Sequence, residues 1–217
     1  MPTFIVGSSF KFASSNHSIM SIIDKKAFIT NLYQRTEIIL EKAIKQYQNL
    51  DELSLSFSSN DCSWSIAQVL SHLNSYGNYY LPKIEAVLQQ PHDLSLRAYS
   101  PSWLGIYFVN MMDANKSRKR YKAAKQHQPK VADAYAEVAQ FINQQERMLK
   151  CLKAFETVDI NRTRIPISIA KFIKLNLGDL LSFLITHNER HMAQIKRIQR
   201  AQVETLTQRT VFTSLSS

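Results

Sequence analysis

The sequence predicts an all-α protein, a four-helix bundle with a long basic connection between its second and third helices. Three observations favour this fold class. Only 4 glycines and 6 prolines occur among 217 residues, too few for a protein built from many tight turns and short strands. Apolar residues make up 45% and charged residues 20% of the chain, which is typical of a globular domain. Apolar residues also recur at helical spacing in four long segments.

We expect a single domain, the bundle, over residues 21–202. The length of the chain suits one domain with a sizeable core. The Ser-rich segment 1–20 lacks the charged start and long apolar core of a signal peptide, and we expect it to be a disordered extension. The Ser/Thr-rich segment 203–217 is expected to form a loose tail.

The first two helices are indicated by apolar spacing and by one capping signal. The first is predicted over residues 24–48. The second begins after Ser65, which together with Gln68 makes a capping box, where each side chain accepts from a free backbone N–H of the other residue. Pro82 lies inside the second helix and is expected to kink or split it near Asn78, because proline lacks the N–H that a helix needs.

The remaining elements follow from the same patterns. The connection after the second helix contains a short helix predicted over residues 103–112. The third helix is predicted over residues 131–155 and is followed by a connection with an extended piece at residues 164–167. The fourth helix is predicted to begin at Asn176, with Asp179 in its first turn, where both residue types suit capping and the helix dipole.

The positive charge of the chain is concentrated in one segment. Residues 116–130 carry seven lysines and arginines and no acidic residue, which leaves only 10 − 7 = 3 excess positive charges elsewhere. Such a cluster could attract nucleic acid, an anionic membrane surface or an acidic substrate. We favour a solvated loop, because Tyr121 is the only aromatic residue there and cannot by itself provide base stacking. We therefore do not expect a nucleic-acid partner.

Two further features of the sequence concern the location of the protein in the cell. No apolar run approaches the roughly 18 residues that a membrane-spanning helix needs. The two cysteines, Cys62 and Cys151, form no disulfide framework and are expected to be structural rather than nucleophilic. We expect a cytoplasmic protein.

Three histidines are candidates for a common site. His187 and His191 lie four residues apart in the fourth helix and therefore on one face, the same face as the apolar residues. His72 lies at the edge of the apolar stripe of the second helix, with Tyr76 and Tyr79 in the same sector. Metal sites in helical bundles are built from side chains of facing helices, so these three imidazoles could converge on one ion.

Other interpretations of the histidines are weighed beside this one. A single core histidine is more often held by hydrogen bonds than by a metal, so His72 alone would mean little. The metalloprotease motif H-E-x-x-H is not matched, because Glu189 follows His187 by two residues and lies about 200° around the helix. The remaining histidines fall in predicted loops or tails and are expected at the surface: His17, His92 and His127.

Two motifs resemble the DinB-like superfamily of bacterial metalloproteins. The first is W-S-I-A-Q-V-L-S-H-L over residues 64–73, and the second is L-G-D-L-L over residues 177–181, leading into H-x-x-R-H-x-x-Q over residues 187–194. Members of this family are four-helix bundles in which the first motif supplies one histidine and the second supplies two. The resemblance therefore implies a bundle of the DinB-like type with a metal triad made of His72, His187 and His191. The long basic segment and the N-terminal extension depart from the family pattern.

The resemblance also implies a chemistry. Three neutral imidazoles leave a divalent ion at least one open position, as in catalytic zinc sites. Imidazoles suit zinc, nickel or iron, and copper as well, so the sequence does not choose the metal. Relatives include thiol-dependent transferases and isomerases, and metal-dependent hydrolases. We predict an enzyme that transfers a low-molecular-weight thiol to a small electrophile in detoxification or stress response, with a metal-dependent hydrolase as the alternative.

Five residues are candidates for supporting roles around the triad. Tyr76 and Tyr79 are expected to line the pocket, and Asn188 or Gln194 to hold an imidazole tautomer by a hydrogen bond. Arg190 either binds an anionic group of the substrate or forms a salt bridge at the bundle surface. By analogy with relatives the protein is expected to be a homodimer. A non-catalytic metal-binding scaffold, whose basic surface contacts an anionic partner, and a purely structural metal clip remain as further alternatives.

Overall fold

The computed structural model describes residues 22–58, 63–91, 97–117, 119, 121–131 and 133–215, with side chains through residue 208. The helices are α1 (Lys25–Lys42), α2 (Glu52–Ser56), α3 (Ile66–Leu88), α4 (Trp103–Met112), α5 (Ala134–Ala154) and α6 (Leu177–Leu215). The strands are β1 (Ile23–Asp24), β2 (Ala98–Tyr99), β3 (Arg164–Ile167) and β4 (Ala170–Asn176). A π-helical turn, Ala43–Tyr47, extends α1, and a 3-10 turn, Lys125–His127, interrupts the basic connection.

Four long helices, α1, α3, α5 and α6, form the bundle, which confirms the predicted fold class. Helix α5 packs against both α1 and α3, and α6 packs against α1 and α3 on the other side. The side chains between them are fully buried, and they include Leu32, Leu70, Phe141, Leu152, Leu180 and Ile195. The short helix α4 lies outside the four and packs on α6. The apolar stripes that the sequence shows at helical spacing are therefore the faces that meet in the core.

The helix starts are fixed by side-chain caps. The predicted capping box is present at α3, where the Gln68 N–H donates to Ser65 Oγ at 3.2 Å and the Ser65 N–H donates to Gln68 Oε1 at 2.9 Å. At α6, Asn176 Oδ1 accepts from the Asp179 N–H at 2.7 Å. Each cap satisfies a backbone donor that has no partner inside the helix. The registers of α3 and α6, the two helices that carry the three histidines, are set by these local signals.

The prediction that Pro82 splits the second helix is wrong. Helix α3 is not split at Asn78 but continues through Pro82 to Leu88. The ring of Pro82 is exposed, while the neighbouring Leu81 and Ile84 are buried in the core, so packing holds the helix together across the missing hydrogen bond.

The C-terminal segment also differs from the prediction of a loose tail after residue 202. Helix α6 continues to Leu215. The Gln202 amide donates to Ser54 Oγ at 3.0 Å, and the hydroxyls of Thr205 and Thr207 donate to the carbonyls one turn before them. Ser/Thr-rich composition is therefore accommodated within a helix here, because the hydroxyls bond back to the helix itself. The predicted extension over residues 1–20 lies outside the described residues.

Two short antiparallel pairs brace the bundle. Strand β3 pairs with β4 in the register Ile165↔Leu175, which confirms the extended piece predicted at residues 164–167. Strand β1 pairs with β2 and ties the start of α1 to the segment that leads into α4. The rings of Phe28 and Tyr99 stack at this point with centroids 4.0 Å apart.

The basic connection between α4 and α5 is anchored through its backbone. The Arg190 guanidinium donates to the carbonyls of Ser117 at 3.0 Å and Lys119 at 2.6 Å, and the Lys130 N–H donates to Ser71 Oγ at 3.1 Å. The described lysines of the segment all point into solvent: Lys116, Lys119, Lys122, Lys125 and Lys130. The connection therefore has solvated side chains, as expected, on a backbone that is fixed to α3 and α6. Within the described part of the chain, no helix combines the length and the apolar character that crossing a bilayer requires.

Candidate metal centre

The structure brings the three predicted histidines together between α3 and α6. His187 Nε2 lies 3.3 Å from His72 Nε2 and 3.1 Å from His191 Nε2. One nitrogen from each ring lies within 4.8 Å of the others. His72 and His187 are buried, and His191 is half-buried. The i, i+4 spacing on α6 and the fixed register of α3 together aim all three Nε2 atoms at one point.

Hydrogen bonds on the far side of two rings fix which nitrogen is free. His72 Nδ1 donates to the backbone carbonyl of His127 at 2.7 Å, and His191 Nδ1 donates to Gln194 Oε1 at 2.8 Å. Because these oxygens accept, each neutral ring carries its proton on Nδ1 and leaves a lone pair on Nε2. The Nδ1 atom of His187 is buried and has no hydrogen-bond partner among the described residues.

Burial keeps these imidazoles in the neutral form. It lowers the pKa of His72, lowers the pKa of His187 further, and lowers the pKa of His191 to about 3. The neighbouring histidines and Arg190 act on His187 in the same direction. All three rings are therefore uncharged donors at neutral pH, the form in which imidazole binds metal.

The donor set fits a metal ion. His72 and His191 each direct an unprotonated Nε2 toward Nε2 of His187. One proton can bridge only two of these three nitrogens, whereas a metal ion can bind all three. Tetrahedral coordination with metal–nitrogen bonds of about 2.0–2.1 Å sets neighbouring nitrogens roughly 3.3 Å apart. The two shorter nitrogen–nitrogen distances, 3.1 and 3.3 Å, match this spacing. Three histidines close together could thus hold an ion, and the sequence and the structure leave its identity open.

Aromatic rings surround the triad. The Trp64 ring lies 5.0 Å from His72 and 6.3 Å from His191, centroid to centroid. The Tyr76 ring lies 4.6 Å from His187. Phe183 stacks on His187 at 5.7 Å. Trp64 is thus part of the wall of the site.

The predicted supporting residues divide into two groups. Tyr76 and Gln194 touch the triad, through a ring contact and a hydrogen bond respectively. The other three make their hydrogen bonds and ring contacts elsewhere. Tyr79 packs on Tyr80 and under the Lys83 ammonium, Asn188 donates to Gln145 Oε1 at 3.1 Å, and Arg190 holds the basic connection.

His127 is the residue whose position was predicted wrongly from the sequence. It is only 2% exposed, so the prediction that it lies at the surface is wrong. Its ring is bonded on both sides, with Nδ1 2.8 Å from Ser75 Oγ and Nε2 2.7 Å from Ser168 Oγ, and it stacks on Tyr76 at 3.8 Å. Burial lowers its pKa to about 4. No local pattern marks a loop residue of this kind, because its partners come from distant parts of the chain.

Other candidates are placed as follows. Glu189 faces α1 rather than the triad, and its carboxylate accepts from Arg35 Nε at 2.8 Å and from a terminal nitrogen of the same guanidinium at 2.6 Å. Cys151 is a free, buried thiol whose pKa burial raises to about 11, which suits a structural residue. The remaining candidates from the sequence lie outside the described residues: His17, Cys62 and His92.

Comparison with known proteins gives one family and one similar structure. The model of the DinB superfamily matches residues 39–195. No curated protein matches the chain. Among solved structures, YfiT from Bacillus subtilis is similar with a TM-score of 0.53 and 17% sequence identity, over 83% of this chain and 90% of that one. YfiT is described as a probable metal-dependent hydrolase with an unusual four-helix bundle topology. At this identity the likeness concerns the fold alone.

The family match covers most of the chain, including α3 with His72 and the part of α6 that carries His187 and His191. It agrees with the resemblance of the two sequence motifs and with the bundle that the structure shows. The chain belongs to the DinB superfamily.

Proposed function

We propose that His72, His187 and His191 hold one divalent ion, zinc, nickel or iron, and that the chain is an enzyme that transfers a low-molecular-weight thiol to a small electrophile. The observation that carries the proposal is the convergence of three neutral Nε2 donors at one point. A site with three imidazoles keeps an open position for a reactant, which distinguishes it from a closed structural site with four protein ligands.

When bound, such an ion would stabilise the deprotonated form of a thiol or of water at its open position. The protein's own groups would supply orientation and desolvation. The His127 carbonyl and the Gln194 amide keep two rings in the tautomer that presents Nε2. The rings of Trp64, Tyr76 and Phe183 would limit access of bulk water, which strengthens electrostatic interactions inside the site.

The surroundings of the triad favour a thiol over water as the nucleophile. Among the described residues, no carboxylate forms a hydrogen bond with the three imidazoles, and the nearby charges that act on His191 belong to Arg190 and Arg197. Without a general base, attack by water would rest on the metal alone. A thiol has an ordinary pKa of about 8.5 and needs no such base once a cation stabilises its anion. Cationic surroundings also suit an anionic thiolate.

A metal-dependent hydrolase is the second candidate. It is supported by the similar fold of YfiT and by the activity ascribed to that protein. The two candidates differ in a measurable way, because a transferase consumes one thiol per product and a hydrolase forms product without any thiol.

The first experiment is elemental analysis of the purified protein beside His72→Ala and His191→Ala. We expect about one divalent ion per chain in the wild type and a loss of metal in both variants. His127→Gln is the matched control, because it also alters a buried histidine but leaves the backbone carbonyl that holds His72. A wild type that binds no metal after reconstitution with zinc, nickel and iron would refute the site.

The second experiment follows free thiol during incubation of the metal-loaded protein with small thiols and small electrophiles. Consumption of thiol that depends on both the electrophile and the metal, and is absent in His191→Ala, would support the transferase. Product formation that is independent of thiol would favour the hydrolase. Metal binding without either reaction would favour the non-catalytic scaffold.

We also propose a role in detoxification or stress response, a cytoplasmic location and a homodimer. The role and the homodimer rest on the resemblance to relatives. The location rests on the two cysteines, which form no disulfide framework.

A further inference from the structure

Helix α4 has apolar side chains on both of its faces, and only one face is buried. Leu104, Phe108 and Met112 lie on the inner face and pack against the core. The outer face carries Trp103 and Tyr107, with exposed fractions of 75% and 59%. Two large aromatic side chains on one helix face are costly to leave in water and are typical of an interaction surface.

The outer face is a continuous stripe. Trp103, Ile106 and Tyr107 stand at i, i+3 and i+4, which places them side by side, and Asn110 continues the same face one turn later. Ile106 is 40% exposed. The Lys116 ammonium donates to Asn110 Oδ1 at 2.9 Å, so a positive charge sits at the C-terminal end of the stripe. We call the outer face of α4 together with Lys116, Lys119, Tyr121 and Lys122 the α4 surface.

Positive charge follows the stripe in the chain, separated from it by one acidic residue, Asp113, which caps the C-terminal end of α4. No aspartate or glutamate occurs from residue 114 to residue 132. Lys116, Lys119 and Lys122 are exposed, and none of them takes part in the ion pairs formed by the described residues. Tyr121 is 42% exposed among these lysines. The backbone of this segment is held by Arg190 of α6, the helix on which α4 packs.

We propose that the α4 surface docks on an anionic lipid bilayer. Interfacial tryptophan and tyrosine side chains partition into the headgroup region, and flanking lysines are attracted to anionic headgroups. Nucleic acid would bind the lysines through its phosphates but would leave the apolar stripe exposed to water. The combination of an exposed aromatic stripe with exposed lysines therefore matches a lipid surface better than a phosphate backbone alone.

Docking through this face would leave the bundle intact. The inner face of α4 packs on α6, and the Phe108 and Phe183 rings lie 5.9 Å apart, with Phe183 in turn stacked on His187. The lipid surface would therefore lie one helix away from the candidate metal centre. The proposal does not depend on the metal or on the reaction that the centre supports.

The test is co-sedimentation of the full chain with vesicles of phosphatidylcholine alone and of phosphatidylcholine with about one-third phosphatidylglycerol. We expect binding to the anionic vesicles that weakens as salt is raised, because salt screens the lysines. Trp103→Ser/Tyr107→Ser and Lys116→Gln/Lys119→Gln/Lys122→Gln should each reduce the partition coefficient at least about tenfold.

Matched controls separate the α4 surface from general effects. Leu53→Ser removes an apolar side chain that is 85% exposed on α2. Lys26→Gln/Lys42→Gln/Lys150→Gln removes the same amount of charge from other exposed sites. Both controls should bind vesicles like the wild type. Thermal melting of every variant identifies any loss of binding that comes from unfolding, and the lysine variant tests the proposal if the aromatic variant does not fold.

Three outcomes would overturn the proposal. The first is equal or no binding to the two vesicle types. The second is binding that both control variants reduce as much as the α4 variants do. The third is a wild-type dimer that Trp103→Ser/Tyr107→Ser converts to a monomer without any vesicle binding, which would make the stripe an interface between copies of this chain.

Discussion

His72 Nδ1 donates a hydrogen bond of 2.7 Å to the backbone carbonyl of His127, 55 positions further along the chain. The bond fixes the proton of His72 on Nδ1 and frees Nε2 for a metal. Because the acceptor is a backbone atom, a side-chain substitution at His127 does not remove it. His191 is held differently, by the side chain of Gln194 one turn away, which mutation can remove.

Gln194→Ala should therefore weaken metal binding by about 10–100-fold, because His191 loses the group that orients its ring and fixes its tautomer. The affinity can be measured by competition with a chromogenic chelator. Gln194→Glu keeps an acceptor for Nδ1–H and should retain more of the affinity than the alanine variant. Equal affinities for the wild type and Gln194→Ala would show that the hydrogen bond has no role in metal binding.

Glu189→Gln should leave the metal content unchanged, since Glu189 is paired with Arg35 on α1 and does not face the triad. The expected effect is on stability, a loss of up to about 1 kcal/mol in the free energy of unfolding, because the ion pair is only partly buried. Urea denaturation measures this loss, and Arg35→Ala should show a comparable one. A variant of normal stability that has lost its metal or its turnover would assign Glu189 to the site instead.

Arg190→Ala should release the basic connection, because two hydrogen bonds to the carbonyls of Ser117 and Lys119 are lost. We expect faster amide hydrogen exchange over residues 114–124, with metal content preserved. Arg197→Ala, an exposed arginine on the same helix, is the control. If exchange is unchanged in Arg190→Ala but turnover falls, Arg190 acts on the substrate and not on the connection.

The metal-free protein should lose stability as the pH falls below about 6.5, the ordinary pKa of histidine in an unfolded chain. Burial lowers the pKa of His191 to about 3 and of His127 to about 4, so the folded chain stays unprotonated where the unfolded chain binds protons. The free energy of unfolding therefore falls from pH 6.5 downward until the folded-state pKa values are reached.

Urea denaturation at several pH values measures the slope of this fall. In His127→Gln the slope of the unfolding free energy against pH should be smaller than in the wild type. The difference should be at most about 1.4 kcal/mol per pH unit, which is the effect of one bound proton. His92→Gln makes the same substitution at a position outside the described residues, and its slope is compared with that of His127→Gln. A wild-type stability that is flat between pH 6.5 and pH 4 would contradict the burial of these rings.

Much of the fold could be predicted because its signals are local. The capping box of Ser65 and Gln68 and the cap at Asn176 involve residues within one turn of each other, and apolar spacing reports which face of a helix is buried. Pro82 misled the prediction for α3, because a local rule about proline was overridden by the packing of α3 against α5.

Sequence alone determined that His187 and His191 share one face of a helix and that His72 borders the apolar stripe of another, since both facts follow from helical geometry. Tertiary structure alone decided what holds and surrounds them. The His127 carbonyl, the partners of Arg190 and the pairing of Glu189 with Arg35 join segments far apart in the chain. Backbone carbonyls carry no residue signature, and Arg35 and Glu189 lie 154 positions apart, so these contacts could be known only once the helices and the connection were packed together.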